Sequence, residues 1–120
     1  MLWIRWGSAL AFLGVAAGAF GAHALRQSLT PNAMAAYQTA VLYQFIHALG
    51  LLAVGCLALH QQGGHPALRA AGIAFLLGTA LFSGSLYLLS LTGVRAWGAV
   101  TPIGGVLFLM GWVSLAVAAR

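Results

Sequence analysis

Long apolar stretches separated by short polar segments dominate the pattern of this chain. A helix that crosses a bilayer needs about 20 mostly apolar residues, and four stretches reach that length, approximately residues 3–25, 31–59, 66–91 and 97–119. The polar breaks are Arg26-Gln27-Ser28, Gln61-Gln62-Gly63-Gly64 and Thr92-Gly93-Val94-Arg95. The pattern therefore predicts an all-α integral membrane protein, a four-helix transmembrane bundle that forms a single domain.

Three of the predicted helices begin at a polar residue followed by proline: Thr30-Pro31, His65-Pro66 and Thr101-Pro102. Proline suits the first helical turn, where its missing N–H loses no hydrogen bond, and a threonine hydroxyl can cap the free N–H groups. These prolines therefore predict helix starts. The last helix has two alternative starts, Trp97 and Pro102. The later start leaves residues 92–101 as an outer loop, with Trp97 as an interfacial anchor.

Glycines recur on one face of the first helix and again in the last helix. Helices in lipid approach closely where small residues line their contact, so we predict packing positions at Gly7, Gly14, Gly18, Gly21, Gly104 and Gly111. This stripe also favours a retained first span, although Ala22-His23-Ala24 fits the cleavage pattern of a signal peptide. Whether the glycines pack inside one bundle or between the protomers of a homo-oligomer stays open.

Two further features concern the layout of the whole chain. Leu25-Arg26 before Thr30-Pro31 resembles Val94-Arg95 before Thr101-Pro102, which suggests two tandem two-helix units related as a parallel repeat; chance recurrence of common loop residues is the alternative. Arg5, Arg69 and Arg120 fall on one side of the membrane, and Arg26 and Arg95 on the other. The positive-inside rule then favours both termini in the cytoplasm.

The amino-acid composition limits the kinds of functional site that the chain can form. Its 120 residues are 62% hydrophobic and 4% charged, and the net charge of +5 arises from five arginines with no Asp or Glu, against roughly 25% charged residues in soluble domains. The net positive charge thus results from the absence of Asp and Glu rather than from a nucleic-acid-binding patch. Without carboxylates or a second cysteine beside Cys56, which we predict to be buried and inert, we expect no enzyme, metal or cofactor. A lipid-active enzyme would have to use histidine, tyrosine and serine alone.

The second helix carries a polar stripe that contains Tyr37, Thr39, Tyr43, Gln44 and His47. At about 100° per residue these side chains share one sector, which we expect to face the bundle because polar groups in hydrocarbon need partners. His47 is the strongest functional candidate, as a proton acceptor or ligand donor near the bilayer centre. The alternative, which we favour, is a neutral imidazole bonded to Tyr43, Gln44 or a backbone carbonyl.

Other polar residues gather toward the outer side, whereas the stripe ends at His47 and the cytoplasmic side is apolar. Guanidinium groups bind phosphate in a bidentate manner, so the outer residues suggest a pocket for a lipid headgroup or another small ligand. The candidate binding residues are His23, Arg26, Tyr37, Gln38, Tyr43, Gln44, His47, Ser83, Ser85, Tyr87 and Arg95. We expect a binding or membrane-complex accessory protein that contacts membrane lipids, including anionic headgroups. The alternative is an oligomeric transporter or channel that conducts along the stripe from Tyr37 to His47. His60 and His65 flank the Gly-Gly loop and are expected to face solvent.

Several segments in order along the chain resemble the YgdD-like membrane proteins, known as domain of unknown function 423, whose eukaryotic relatives are named transmembrane protein 256. The segments are Gly18-Ala19-Phe20-Gly21-Ala22-His23, Tyr37-Gln38-Thr39-Ala40-Val41, Tyr43-Gln44, His47-Ala48-Leu49, Leu81-Phe82-Ser83-Gly84-Ser85-Leu86-Tyr87 and Thr101-Pro102-Ile103-Gly104-Gly105. The resemblance implies a four-helix protein of the bacterial inner membrane, mitochondrial in eukaryotes. It implies no particular activity.

Overall fold

Four long helices and no strand make up the part of the chain that the computed structural model describes, residues 1–62 and 64–119. Helix α1 spans Leu2–Phe20 and continues as a π-helical segment, Gly21–Leu25; α2 spans Pro31–His60, α3 Pro66–Thr92, and α4 Thr101–Ala118 after a 3-10 helix, Arg95–Ala99. All four are long and apolar enough to cross a bilayer. The predicted all-α four-helix membrane fold is confirmed. Gly63 and Arg120, used above in a loop and in the arginine count, lie outside the described residues.

The helices begin as the proline positions predict, with one difference in the capping. The Thr30 hydroxyl accepts a hydrogen bond from the Ala33 N–H at 3.2 Å, and His65 Nδ1 accepts one from the Ala67 N–H at 3.0 Å. The predicted cap by Thr101 is wrong, because Val100 is the N-cap and Thr101 is already inside α4. Of the two starts considered for this helix, the α-helical part takes the later one.

Helices α2 and α3 form the centre, with α1 packed on α2 and α4 packed on α3. The molecule measures 48 × 26 × 17 Å. We call the end that holds Leu2, His60, Pro66 and Ala118 the terminal end, and the opposite end the distal end. The apolar core lies toward the terminal end, around Leu51, Val54, Leu68 and Phe75.

Glycines bring the helix backbones close together. A Cβ added at Gly7 would lie 2.8 Å from the Ala48 carbonyl oxygen, and one at Gly111 would lie 2.6 Å from the Phe75 ring. Gly14 lies against Phe45, Gly21 against Tyr37 and Gly104 against the Phe82 backbone. Gly18 is the loosest of the predicted set, 3.6 Å from Val41. Gly55, Gly72 and Gly78 make equally close approaches that the spacing of glycines did not single out.

The surroundings of Cys56 differ from the expected ones. Cys56 is exposed on the surface of α2, so the prediction of a buried thiol is wrong; it lies on a side of the helix that its neighbours do not cover. The two odd-numbered helices are buried to different extents: 11% of the most apolar stretch of α1 is buried, against 39% for α3, which lies between α2 and α4. The tandem two-helix repeat stays a prediction.

Candidate functional site

The polar stripe of α2 divides between two faces. Tyr37 and Gln44 face α1 and α3, whereas Tyr43 and His47 face α4. Thr39 stays with its own helix and donates to the Ala35 carbonyl at 3.0 Å. The stripe therefore serves two separate clusters rather than one continuous pocket.

Gln44 links three helices in the middle of the bundle. Its Nε2 donates to the Leu10 carbonyl of α1 at 2.8 Å, and its Oε1 accepts a hydrogen bond from the Tyr87 hydroxyl of α3 at 2.7 Å. The side chain is 5% exposed. Interhelical hydrogen bonds of this kind hold helices together where water is absent.

Tyr37 makes a second link between α1 and α2, nearer the distal end. Its hydroxyl donates to the Ala17 carbonyl at 2.5 Å, and its ring fills the space that the missing side chain of Gly21 leaves. The ring also meets Tyr87 edge-on, with centroids 5.3 Å apart and planes at 67°. The contact coincides with the start of the π-helical segment at Gly21, which shows that α1 changes its winding where Tyr37 packs.

Two of the serines of α3 bond to neighbouring helices, whereas the Ser90 hydroxyl donates to the Tyr87 carbonyl of its own helix. The Ser83 hydroxyl donates to the Ala40 carbonyl of α2 at 2.8 Å. The Ser85 hydroxyl pairs with the Thr101 hydroxyl of α4 at 2.6 Å. Neither lies beside a base within the described residues, and both contacts join helices.

His47 is 2% exposed and has a protein partner at each ring nitrogen. Nε2 accepts a hydrogen bond from the Trp112 indole N–H at 3.1 Å, and Nδ1 lies 2.7 Å from the Tyr43 carbonyl oxygen. Because an indole N–H only donates, Nε2 carries no proton and Nδ1–H is the donor to the carbonyl. The Phe108 ring stacks on the imidazole with centroids 3.4 Å apart and planes at 6°. This arrangement is that of a neutral imidazole bonded to a backbone carbonyl.

A groove of about 750 Å³ runs between α1 and α3, with the Tyr37 and Gln44 side chains as its floor. The facing residues include Ala16 and Ala17 on α1 and Ala80 and Gly84 on α3, and these small side chains leave the space between the helices unfilled. The other lining residues are Trp6, Leu10, Leu13, Phe20, Leu76, Leu77, Thr79, Ser83 and Tyr87. The groove is therefore an apolar slot inside the membrane-spanning region, with polar groups at its floor.

The remaining predicted residues lie apart from this groove. His23, Arg26 and Arg95 are exposed at the distal end. Gln38 lines a small separate cavity of about 130 Å³ beside Tyr37. Tyr43 lies between α3 and α4, with its ring centroid 4.5 Å from that of Phe82 on α3 and 6.2 Å from that of Phe108 on α4. The structure thus brings Tyr37, Gln44, Ser83 and Tyr87 together at one groove and leaves the other predicted residues outside it.

Residues of α4 complete the His47 cluster and were missed in the sequence. Trp112 and Phe108 belong to a helix whose other polar side chains are Thr101 and Ser114. The signal available was the indole N–H itself, since a donor in the middle of a membrane span needs an acceptor. Among the described residues, no group of three or more His, Cys, Asp or Glu side chains is placed to hold a metal ion.

The chain is similar to known proteins over most of its length. A family model described as "Protein of unknown function (DUF423)" matches residues 17–105. A UPF0382 membrane protein of Staphylococcus saprophyticus is 42% identical over 113 residues, which cover 92% of this chain and 90% of the relative. YwdK of Bacillus subtilis, named a UPF0382 membrane protein, is 42% identical over 113 residues, 94% of this chain and 91% of the relative.

A further relative, named the UPF0382 inner membrane protein YgdD of Escherichia coli, is 43% identical over 108 residues, 90% of this chain and 81% of the relative. No solved structure matches the chain. The family match and these identities confirm the resemblance seen in the sequence. This membrane protein therefore belongs to the DUF423 family.

Proposed function

We propose that this protein is a non-enzymatic lipid-binding protein of the inner membrane, with both termini in the cytoplasm, and that one acyl chain of the lipid occupies the groove between α1 and α3. The observation that carries the proposal is the groove itself, an apolar slot of about 750 Å³ between two membrane-spanning helices. Ligand sites commonly fall within about 300–1,000 Å³ and have mostly apolar walls with a few polar groups. Lipid chains are the solvent around these helices.

The polar groups at the groove floor favour a chain rather than a polar ligand there. The Tyr37, Tyr87 and Ser83 hydroxyls each donate to a protein acceptor, and Gln44 uses both its amide nitrogen and its carbonyl oxygen. These bonds satisfy the groups that hydrocarbon would otherwise penalise. The polar groups of the floor thus already have hydrogen-bond partners within the protein. Leu13, Ala80 and Gly84, along the walls, form the contact surface for a ligand.

Charge favours an anionic lipid. The chain has five arginines and no acidic side chain with which to pair them, and Arg26 and Arg95 are exposed at the distal end, at the level where headgroups lie. Guanidinium groups bind phosphate well. A lipid in the groove would place its headgroup within the zone of these arginines, with His23 and Gln38 at the same end.

The contacts around His47 support a transporter or channel less well than a lipid-binding protein. Both ring nitrogens have protein partners and Phe108 covers one face of the ring, so a conducting path along the stripe would first have to separate α2 from α4. Equal flux into liposomes for wild-type protein and His47→Ala would remove this histidine from any conduction path.

The proposal is tested by filling the groove. A Cβ at Gly84 meets nothing within 4 Å, so Gly84→Leu adds a side chain to the slot with no clash at its first atom. Native mass spectrometry of the purified protein should show retained lipid for the wild type and a loss of about tenfold for Gly84→Leu, the change expected when burial of two CH₂ groups is lost. Ala70→Leu, on an exposed part of α3 outside the groove, is the matched control. Equal lipid retention in all three proteins would contradict the proposal.

A further inference from the structure

A second cavity lies at the terminal end, opposite the arginines at the distal end. It has a volume of about 370 Å³ and lies where the start of α1, the end of α2 and the start of α3 meet. Leu2, Trp3, Ala58 and Leu68 form apolar walls, whereas His65 and Arg69 contribute a polar edge. This combination of apolar walls with an arginine and a histidine differs from the groove between α1 and α3, whose lining has no charged residue.

The local backbone fixes the polar edge of this cavity. His65 is the N-cap of α3 in an extended conformation and uses Nδ1 to accept the Ala67 N–H, so Nε2 is left for another partner. Gly64 precedes it with a φ of 92°, a value that favours glycine. Arg69 follows in the first turn of α3 and is exposed. The two side chains therefore belong to one short, well-defined turn.

The apolar walls are fixed equally well. Trp3 lies so close to α3 that a Cβ at Gly72 would be 2.7 Å from its indole ring. Leu68 is 1% exposed and belongs to the core. Tryptophan and arginine side chains at a helix end are typical of the boundary between hydrocarbon and headgroups. The cavity thus has closely packed Trp3 and Leu68 on its apolar side and lies at the end of the bundle, where we expect the headgroups.

We propose that this cavity, named here the terminal cavity, binds the phosphate-bearing headgroup of an anionic phospholipid from the leaflet at the terminal end. Its lining residues are Leu2, Trp3, Ala58, Gly64, His65, Pro66, Leu68 and Arg69. Arg69 binds the phosphate, His65 Nε2 supplies a second contact, and the glycerol and upper chain carbons lie against Trp3 and Leu2. Charge complementarity selects this occupant, because the chain offers no acidic side chain to Arg69. The site is separate from the groove of the proposed function and does not depend on it.

The test compares two arginines at the same end of the molecule. Arg69 lines the cavity, whereas Arg5 is exposed on α1 at the same end and does not line it. Protein in nanodiscs that contain equal amounts of phosphatidylglycerol and phosphatidylcholine is released into a native mass spectrometer, and the ratio of the two retained lipids is measured. We expect Arg69→Gln to lower the preference for phosphatidylglycerol about tenfold, the effect of one lost charge-assisted hydrogen bond, while Arg5→Gln keeps the wild-type ratio.

Three further arms separate the alternatives. His65→Asn keeps a side chain that can cap α3 but removes the imidazole, and should lower the preference by a smaller factor. Arg69→Gln should lower the preference by the same factor in a Gly84→Leu background, where the groove is filled, so failure of the groove proposal and failure of this one are distinguishable. Equal losses in Arg69→Gln and Arg5→Gln, or no loss in either, would overturn the proposal. Displacement of phosphatidylglycerol by added inorganic phosphate would show a site for the free ion and would also overturn it.

Discussion

The role of His47 is decided by the groups that contact its ring. An imidazole in a membrane span can accept a proton, bind a ligand or hold helices together. The Trp112 N–H at 3.1 Å and the Tyr43 carbonyl at 2.7 Å occupy both ring nitrogens. The third of these roles therefore accounts for every polar contact that the described structure gives the ring.

The first prediction concerns the proton on this ring. Because Trp112 donates to Nε2, nitrogen NMR near neutral pH should show His47 as the neutral Nδ1–H tautomer. Trp112→Phe removes the donor and should lower the free energy of unfolding by about 0.6 kcal/mol and by at most about 1.7 kcal/mol, the range for hydrogen bonds between membrane helices. Trp97→Phe is the control, since this indole is exposed in the 3-10 helix. An Nε2–H tautomer in the wild-type protein would contradict the account.

Residue-level prediction from the sequence is right about burial for three residues of the stripe, is wrong for Cys56, and falls short on hydrogen-bond partners. Polar groups in hydrocarbon must be satisfied, and Tyr37, Gln44 and His47 are indeed buried. Their acceptors and donors are the Leu10 and Ala17 carbonyls of α1 and side chains of α3 and α4. Those partners depend on the rotation of each helix about its axis, which the sequence of one helix does not contain.

At the scale of the helices, glycines decide how closely the elements approach. A Cβ at Gly104 would overlap the backbone nitrogen of Phe82, and backbone atoms have no alternative rotamer to adopt. The second prediction is that Gly104→Ala lowers the free energy of unfolding by about 1–3 kcal/mol, the usual cost of overpacking. Denaturation in mixed detergent micelles measures it.

Gly84→Ala is the matched control for this prediction, since a Cβ there meets open space. Alanine has the higher helix propensity, so this variant should be as stable as the wild type or slightly more so. A loss in Gly84→Ala equal to that in Gly104→Ala would show that the close contact between α3 and α4 is not the cause.

Helix boundaries were predictable where proline marks them. Pro31 and Pro66 are the first residues of α2 and α3, and Pro102 follows the first residue of α4. The π-helical segment Gly21–Leu25 has no signal in the sequence, and it begins at the glycine against which Tyr37 packs. The 3-10 helix Arg95–Ala99 lies within the predicted outer loop, residues 92–101. Local signals thus predict where helices start but not how the segments next to them are wound.

At the scale of the whole molecule, a groove lies open between α1 and α3, and the sequence did not predict it. Polar residues indicated a pocket toward the distal end, but the groove exists because α1 packs on α2 and leaves a slot toward α3. The terminal end, expected to be sealed by apolar residues, also holds a cavity with Arg69 and His65 at its edge. Gly7, Gly14 and Gly21 pack against α2 of the same chain. They therefore give no support to a homo-oligomer, which stays a prediction.

Photolabelling tests whether the groove between α1 and α3 holds a lipid chain. A phospholipid with a diazirine in its acyl chain is incorporated into liposomes with the protein, and adducts are mapped by peptide mass spectrometry. We expect adducts to concentrate on Leu13, Ala80 and Gly84, which line the groove, and to be lost in Gly84→Leu. Phe12 and Val15 are 73% and 63% exposed on α1 but do not line the groove. Labelling of these two residues as strong as that of the groove, unchanged by Gly84→Leu, would contradict the account.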